Sequence, residues 1–113
     1  MSQRNEIYVV DILHAARLVQ SFLLNVDRGA FDRDIMRQSA VIHQLMVIGE
    51  AAKHISQQFK DDHPEVPWKD MAGMRDILIH AYRRINLDEV WSAAKVHVPD
   101  LIRQIEPLMP SNE

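Results

Sequence analysis

The chain has 113 residues, enough for one domain over residues 1–113 and too few for two of ordinary size. Apolar residues make up 47% and charged residues 26%, with three Gly and five Pro, a balance that excludes disorder and favours helices over a turn-rich sheet protein. A formal net charge of −3 excludes a broad basic surface that coats nucleic acid, and the lack of cysteine excludes disulfides, thiolate metal sites and a cysteine nucleophile.

In chain order, the opening MSQRNEIYVVDILH carries charges where a secretory signal needs an apolar run, so a cytoplasmic protein is expected. From about Arg4 to Leu24 the residues Tyr8, Ile12, Ala15, Val19 and Phe22 recur at helical steps and form one apolar stripe. Asn25 to Phe31, with Gly29, ends that helix. The second and longest helix is expected from about Asp34 to Phe59, with Ile35, Ile42, Leu45, Gly49, Ala52, Ile55 and Phe59 on its stripe. Gly49, Ala51 and Ala52 are small enough to let another helix come close. The longest stretch without a formal charge, Gln38 to Gly49, is twelve residues, whereas a membrane span needs about twenty. The prolines of DDHPEVP break the chain at Asp61 to Pro67.

A third helix restarts at Pro67 or Trp68 and carries Met71, Met74, Leu78 and Ile79 to about Tyr82, with Arg83 and Arg84 at its C-terminus. Asn86 is placed as the next N-cap, with Glu89 at capping-box spacing and Val90, Trp91 and Ala94 as the apolar face. Pro99 breaks or kinks that helix, and a last one runs from there to about Leu108. The expected fold is an all-α antiparallel bundle of four to five helices.

There is no Gly-rich phosphate loop, no serine in a nucleophile-elbow setting and no His-Glu-x-x-His. His43, Glu50 and His54 share one stripe of the second helix, which could in principle hold a metal. Such a site needs a further ligand from elsewhere and none is evident, so a polar stripe is preferred and no metal or other cofactor is expected. Met74 to Arg84, MRDILIHAYRR, is more informative. On an ideal helix Arg75 and Tyr82 nearly align, while Asp76 and His80 share a second stripe. Asp76 can take a proton from one imidazole nitrogen and fix the tautomer, leaving the other for proton transfer, and Arg75 supplies a planar cation suited to phosphate oxygens. The same spacing also fits an ordinary amphipathic helix with an i, i+4 pair.

At these residues the chain resembles the HEPN superfamily, and within it the HepT-like ribonuclease toxins. The family pattern is an Arg followed by a polar residue, a His after a gap of four to six residues, and a Tyr two places beyond. Arg75, Asp76, His80 and Tyr82 fill it. IGEAAKHIS at 48–56, PEVPWKDMAGMRD at 64–76 and DEVW at 88–91 extend the likeness from about Asp11 to Ile105. Where the family often has Asn, this chain has Asp76, whose negative charge beside a phosphate site either lowers activity or serves to orient His80.

The resemblance implies a HEPN-like bundle that forms a homodimer with two motifs facing one cleft. It also implies a minimal nucleotidyltransferase antitoxin as partner, able to attach AMP to Tyr82. On this reading the chain is a metal-independent endoribonuclease toxin acting on RNA, with Arg75, His80 and Asp76 as its catalytic residues. The alternative is a non-catalytic dimeric module that holds a nucleotide or RNA, which the net charge of −3 mildly favours. A purely structural helical partner for a nucleotidyltransferase is a third reading.

Overall fold

The computed structural model describes residues 3–110, apart from the side chain of Tyr82. Its helices in order are α1 (Gln3–Phe22), α2 (Arg28–Asp32), α3 (Ile35–His54), α4 (Gln57–Asp62), α5 (Trp68–His80), α6 (Leu87–Ser92) and α7 (Val98–Ile105), with no strand among the described residues. The all-α expectation holds. The long rods are α1, α3, α5 and the α6–α7 run, and the short α2 and α4 occupy the connections. No helix among the described residues is long and apolar enough to cross a membrane.

The apolar stripes become one core. Val9, Ile12, Ala16 and Val19 of α1 are buried with Val41, Leu45, Ile48 and Ala52 of α3, Leu78 of α5, Val90 of α6 and Val98 and Ile105 of α7. Residues at three- and four-residue steps lie on one side of a helix, so each rod turns its stripe inward. Side-chain bonds give the directions. Asn5, at the start of α1, bonds Ser56 just past α3, while Arg37 at the start of α3 donates to the Phe22 carbonyl at the end of α1. The two helices are therefore antiparallel. α7 runs antiparallel along α1, through Arg17 with Glu106 at 3.8 Å and Lys95 on the Leu23 carbonyl at 3.2 Å.

Four local features differ from the sequence-based expectation. Asn25 follows α1 with a left-handed backbone at φ 61°, inside the expected break, but Gly29 lies within the short helix α2 and not in a loop. The second helix stops at His54, because Ile55 is extended and Ser56 caps α4 by accepting from the Phe59 N–H at 3.2 Å. Asn5 seals this break: its Oδ1 accepts from the Ser56 N–H and its Nδ2 donates to Ser56 Oγ, both at 3.0 Å. Ile35, expected on the stripe, is exposed at the first turn of α3 behind its Asp34 cap.

The fourth concerns Pro99. The α6–α7 run stays right-handed through it, but Ala93–His97 widens into a π turn in which the Val98 N–H reaches back to the Ala93 carbonyl. Proline lacks a donor and crowds the carbonyl four residues earlier, here Lys95, and the wider turn relieves that crowding.

Candidate active site

Gly49 is the residue that builds the site. A Cβ at this position would fall 2.2 Å from Arg75 Cβ and 2.5 Å from the Met71 carbonyl oxygen. Only a hydrogen fits there, so α3 and α5 touch backbone to backbone as its small size suggests. This contact carries Arg75 into the seam between the helices, where its side chain is 23% exposed.

In the seam two carboxylates meet the guanidinium. Arg75 Nε lies 2.9 Å from Glu50 Oε2, and Nη1 donates to Asp76 Oδ1 at 3.0 Å. The Nε–Oε2 contact is short and closed to solvent, yet the N–H does not point at the oxygen, so it is a charge contact and not a hydrogen bond. Lys53 reaches across from α3 and donates to the same Asp76 Oδ1 at 3.2 Å. Behind Glu50, His54 Nε2 lies 3.0 Å from Oε1, and the His54 ring stacks on Tyr8 of α1 with centroids 5.2 Å apart. Hydrogen bonds from Arg75 and then Lys53 hold the Asp76 carboxyl below the usual carboxylate range. The hydrogen bond with His54, aided by the charge of Arg75, does the same for Glu50.

His80, the last residue of α5, is exposed, and its Nδ1 lies 2.8 Å from the carbonyl oxygen of Asp76. A carbonyl only accepts, so Nδ1 carries the proton and Nε2 is left as the acceptor. The carboxylate was expected in this role. The carbonyl takes it because helical side chains lean back toward the preceding turn, while two cations draw the Asp76 carboxylate the other way.

The unbroken helix on which the expected alignment of Arg75 with Tyr82 depends ends before Tyr82. Ala81 leaves helical geometry at φ −120° and ψ 30°, and Tyr82 opens a 3-10 turn through Arg84. The AMP-attachment reading concerns the Tyr82 side chain, which lies outside the described structure. His43 is separated from the Glu50–His54 pair by two turns of α3 and lines a groove with Gln38, Met46 and Arg83. Among the described residues no three His, Asp or Glu side chains cluster as a metal site. Lys53 is the residue that local spacing missed. Its signal was its place one turn after Glu50, on the helix whose Gly49 invites a neighbour.

A sequence profile described as "Ribonuclease HepT-like" matches residues 12–108, which include Arg75, Asp76, His80 and Tyr82. The chain belongs to the HepT-like ribonuclease family. It is 40% identical over 108 residues to "Probable ribonuclease HepT" of Thermococcus cleftensis, covering 96% of this chain and 98% of that one. It is 38% identical over 107 residues to "Putative RNase MJ1380" of Methanocaldococcus jannaschii, covering 94% and 98%. No solved structure matches it at a significant level. The HepT-like assignment agrees with the resemblance read from the Arg75-to-Tyr82 pattern, and it makes RNA chemistry the context for the Arg75, Asp76 and His80 geometry.

Proposed function

We propose that this HepT-like chain is a metal-independent endoribonuclease, the toxin of a toxin–antitoxin pair, that cuts RNA at a composite site formed across a homodimer. The observation that carries this reading is the fixed tautomer of His80, with Nε2 open one turn from a phosphate-matching guanidinium. Nε2 takes the proton of a ribose 2′-hydroxyl, the freed oxygen attacks phosphorus, and Arg75 balances the charge that develops there. A second, protonated imidazole from the other copy gives a proton to the departing 5′ oxygen, leaving a cyclic phosphate on one product. The two carboxylates near the site are already engaged by Arg75, Lys53 and His54, which supports a reaction that does not rely on them to hold a metal. Ile77, 53% exposed on α5 between Asp76 and His80, offers a second copy an apolar contact.

The test is cleavage of matched RNA substrates by the pure protein. Cutting that survives EDTA and fails on a 2′-deoxy substrate is expected, with loss in Arg75→Ala and His80→Ala. Full activity on 2′-deoxy substrate, or complete loss in EDTA, would refute the mechanism. A fully active monomer would refute the composite site. For control, a nucleotidyltransferase partner adds AMP to Tyr82, two residues beyond His80, which adds bulk and negative charge at the end of the helix that carries the site. Tyr82→Phe should stay toxic and escape neutralisation; equal neutralisation would leave complex formation as the means of control. The net charge of −3 favours the non-catalytic binding reading as the alternative, which intact RNA in this assay would support.

A further inference from the structure

One oxygen atom in this molecule is shared by two cations from different helices. Asp76 Oδ1 accepts from Arg75 Nη1 of α5 at 3.0 Å and from Lys53 Nζ of α3 at 3.2 Å. The Lys53 and Asp76 side chains are 41% and 47% exposed, and an ion pair this open to water adds little to stability. The geometry is that of a phosphate oxygen in a two-cation cradle, occupied by a carboxylate of the protein itself. The same residue's carbonyl holds the His80 ring, so the cradle and the proton-transfer group hang from one point of the backbone.

We propose that Lys53 is the second phosphate-binding cation of the site, and that the Asp76 carboxylate is a built-in stand-in for the substrate phosphodiester, which displaces it from Lys53 and Arg75 on binding. The inference rests on the ribonuclease reading and adds a substrate-binding residue and an internal competitor to it. It also accounts for how a chain of net charge −3 presents a basic site. With Asp76 in place, Arg75 and Lys53 face Glu50 and Asp76 and the formal charges cancel; when the Asp76 carboxylate swings away, Lys53 and the Nη1 side of Arg75 face RNA with only Glu50 left to offset them.

The experiment uses the full chain and a fluorescent single-stranded oligoribonucleotide with 2′-O-methyl groups, which carries the phosphates but cannot be cut. Binding is followed by anisotropy across a salt series. Lys53→Gln is expected to weaken binding about tenfold, the loss of one charge-assisted contact. It should also reduce the slope of log affinity against log salt by about 0.7, one phosphate contact on a single strand. Lys53→Arg, which keeps the charge, should restore the slope. Asp76→Asn, which keeps the shape and removes the competitor, should tighten binding several-fold.

If Lys53→Gln binds with the wild-type affinity and slope while the wild type cuts unmodified RNA, the inference fails and the ribonuclease reading stands. Weakened binding in Asp76→Asn would refute the stand-in role. If the wild type neither binds the probe nor cuts RNA, the ribonuclease reading itself fails and takes this inference with it. Circular dichroism of each variant confirms that the helices are intact.

Discussion

Replacing Gly49 by alanine sets two physical effects against each other. In a helix interior alanine is favoured over glycine by about 1 kcal/mol, so an open site would gain stability. Here the new Cβ would stand 2.2 Å from Arg75 Cβ and 2.5 Å from the Met71 carbonyl oxygen, against an ordinary carbon–carbon contact of about 3.5 to 4.0 Å. One of the obstacles is main chain, and no rotamer change removes it. The helices must part by more than about 1 Å across a core that holds Leu45, Ile48 and Leu78. Overpacking of this kind costs roughly 1–3 kcal/mol, and separating the seam forfeits burial on both sides, so the clash outweighs the propensity gain. We expect a net loss of about 1–3 kcal/mol, which for a domain of this size lowers Tm by roughly 5–15 °C. Activity should fall further than stability does, because Arg75 rides on the displaced contact and a misplacement of about 1 Å can cost on the order of a hundredfold in rate. Thermal melts by circular dichroism, with RNA cleavage measured well below the variant's Tm, separate the two losses. A Gly49→Ala protein that melts at or above wild type and cuts RNA at the wild-type rate would refute the reasoning.

The same substitution at Gly73 should act in the opposite direction, since nothing lies within 4 Å of a Cβ there: Gly73→Ala is expected to raise stability by up to about 1 kcal/mol, and a fall in Tm would show that another molecule covers Gly73 in solution. Asn5→Ala removes both bonds to Ser56 at a buried position and should cost about 1–3 kcal/mol in urea unfolding, with Ser56→Ala adding much less on top of it; additive losses would show that the two residues act separately. Because pairing lowers the Asp76 and Glu50 carboxyls in the folded state, their contribution to stability is complete above the ordinary carboxylate range near about pH 4. It disappears as the pH falls through the lower folded values. Asp76→Asn should therefore flatten the acid limb of a plot of urea midpoint against pH between about 2 and 5, and an unchanged limb would count against the pairing.

How much of this was legible depended on the range over which each determinant acts. The cap at Asn86 was readable because cap and capped N–H lie within three residues, and the bond forms. Gly49 was readable as a close-contact point because small size is a property of the residue alone. The break at Ile55 was hidden, since Ile55 and Phe59 continue the apolar period on either side of it. The partner that seals it, Asn5, lies 51 residues away. At the candidate site, Arg75, Asp76 and His80 were singled out from local spacing, but the bonds they make were not foreseen. Asp76 chooses its partners in competition with Lys53, 23 residues distant, and only the packing of α3 on α5 brings that cation within reach. The alignment of Tyr82 assumed an unbroken helix, and helix ends are the least determined part of any local pattern.

The π turn at Ala93–His97 also bears on how the length of this chain can vary. Successive residues of an α-helix rotate by about 100°, so in an uninterrupted helix Val98, Leu101, Ile102 and Ile105 would sit roughly 80° round from Val90, Ala93 and Ala94 and could not share their side. A π turn takes in one more residue without advancing the rotation, and the two sets are buried together. The spare residue belongs to Lys95, Val96 and His97, all exposed and outside the core. This stretch is therefore a joint at which one residue can be lost while α7 keeps its aim. The same change inside α1 or α3 would turn the rest of that helix's stripe away from the core.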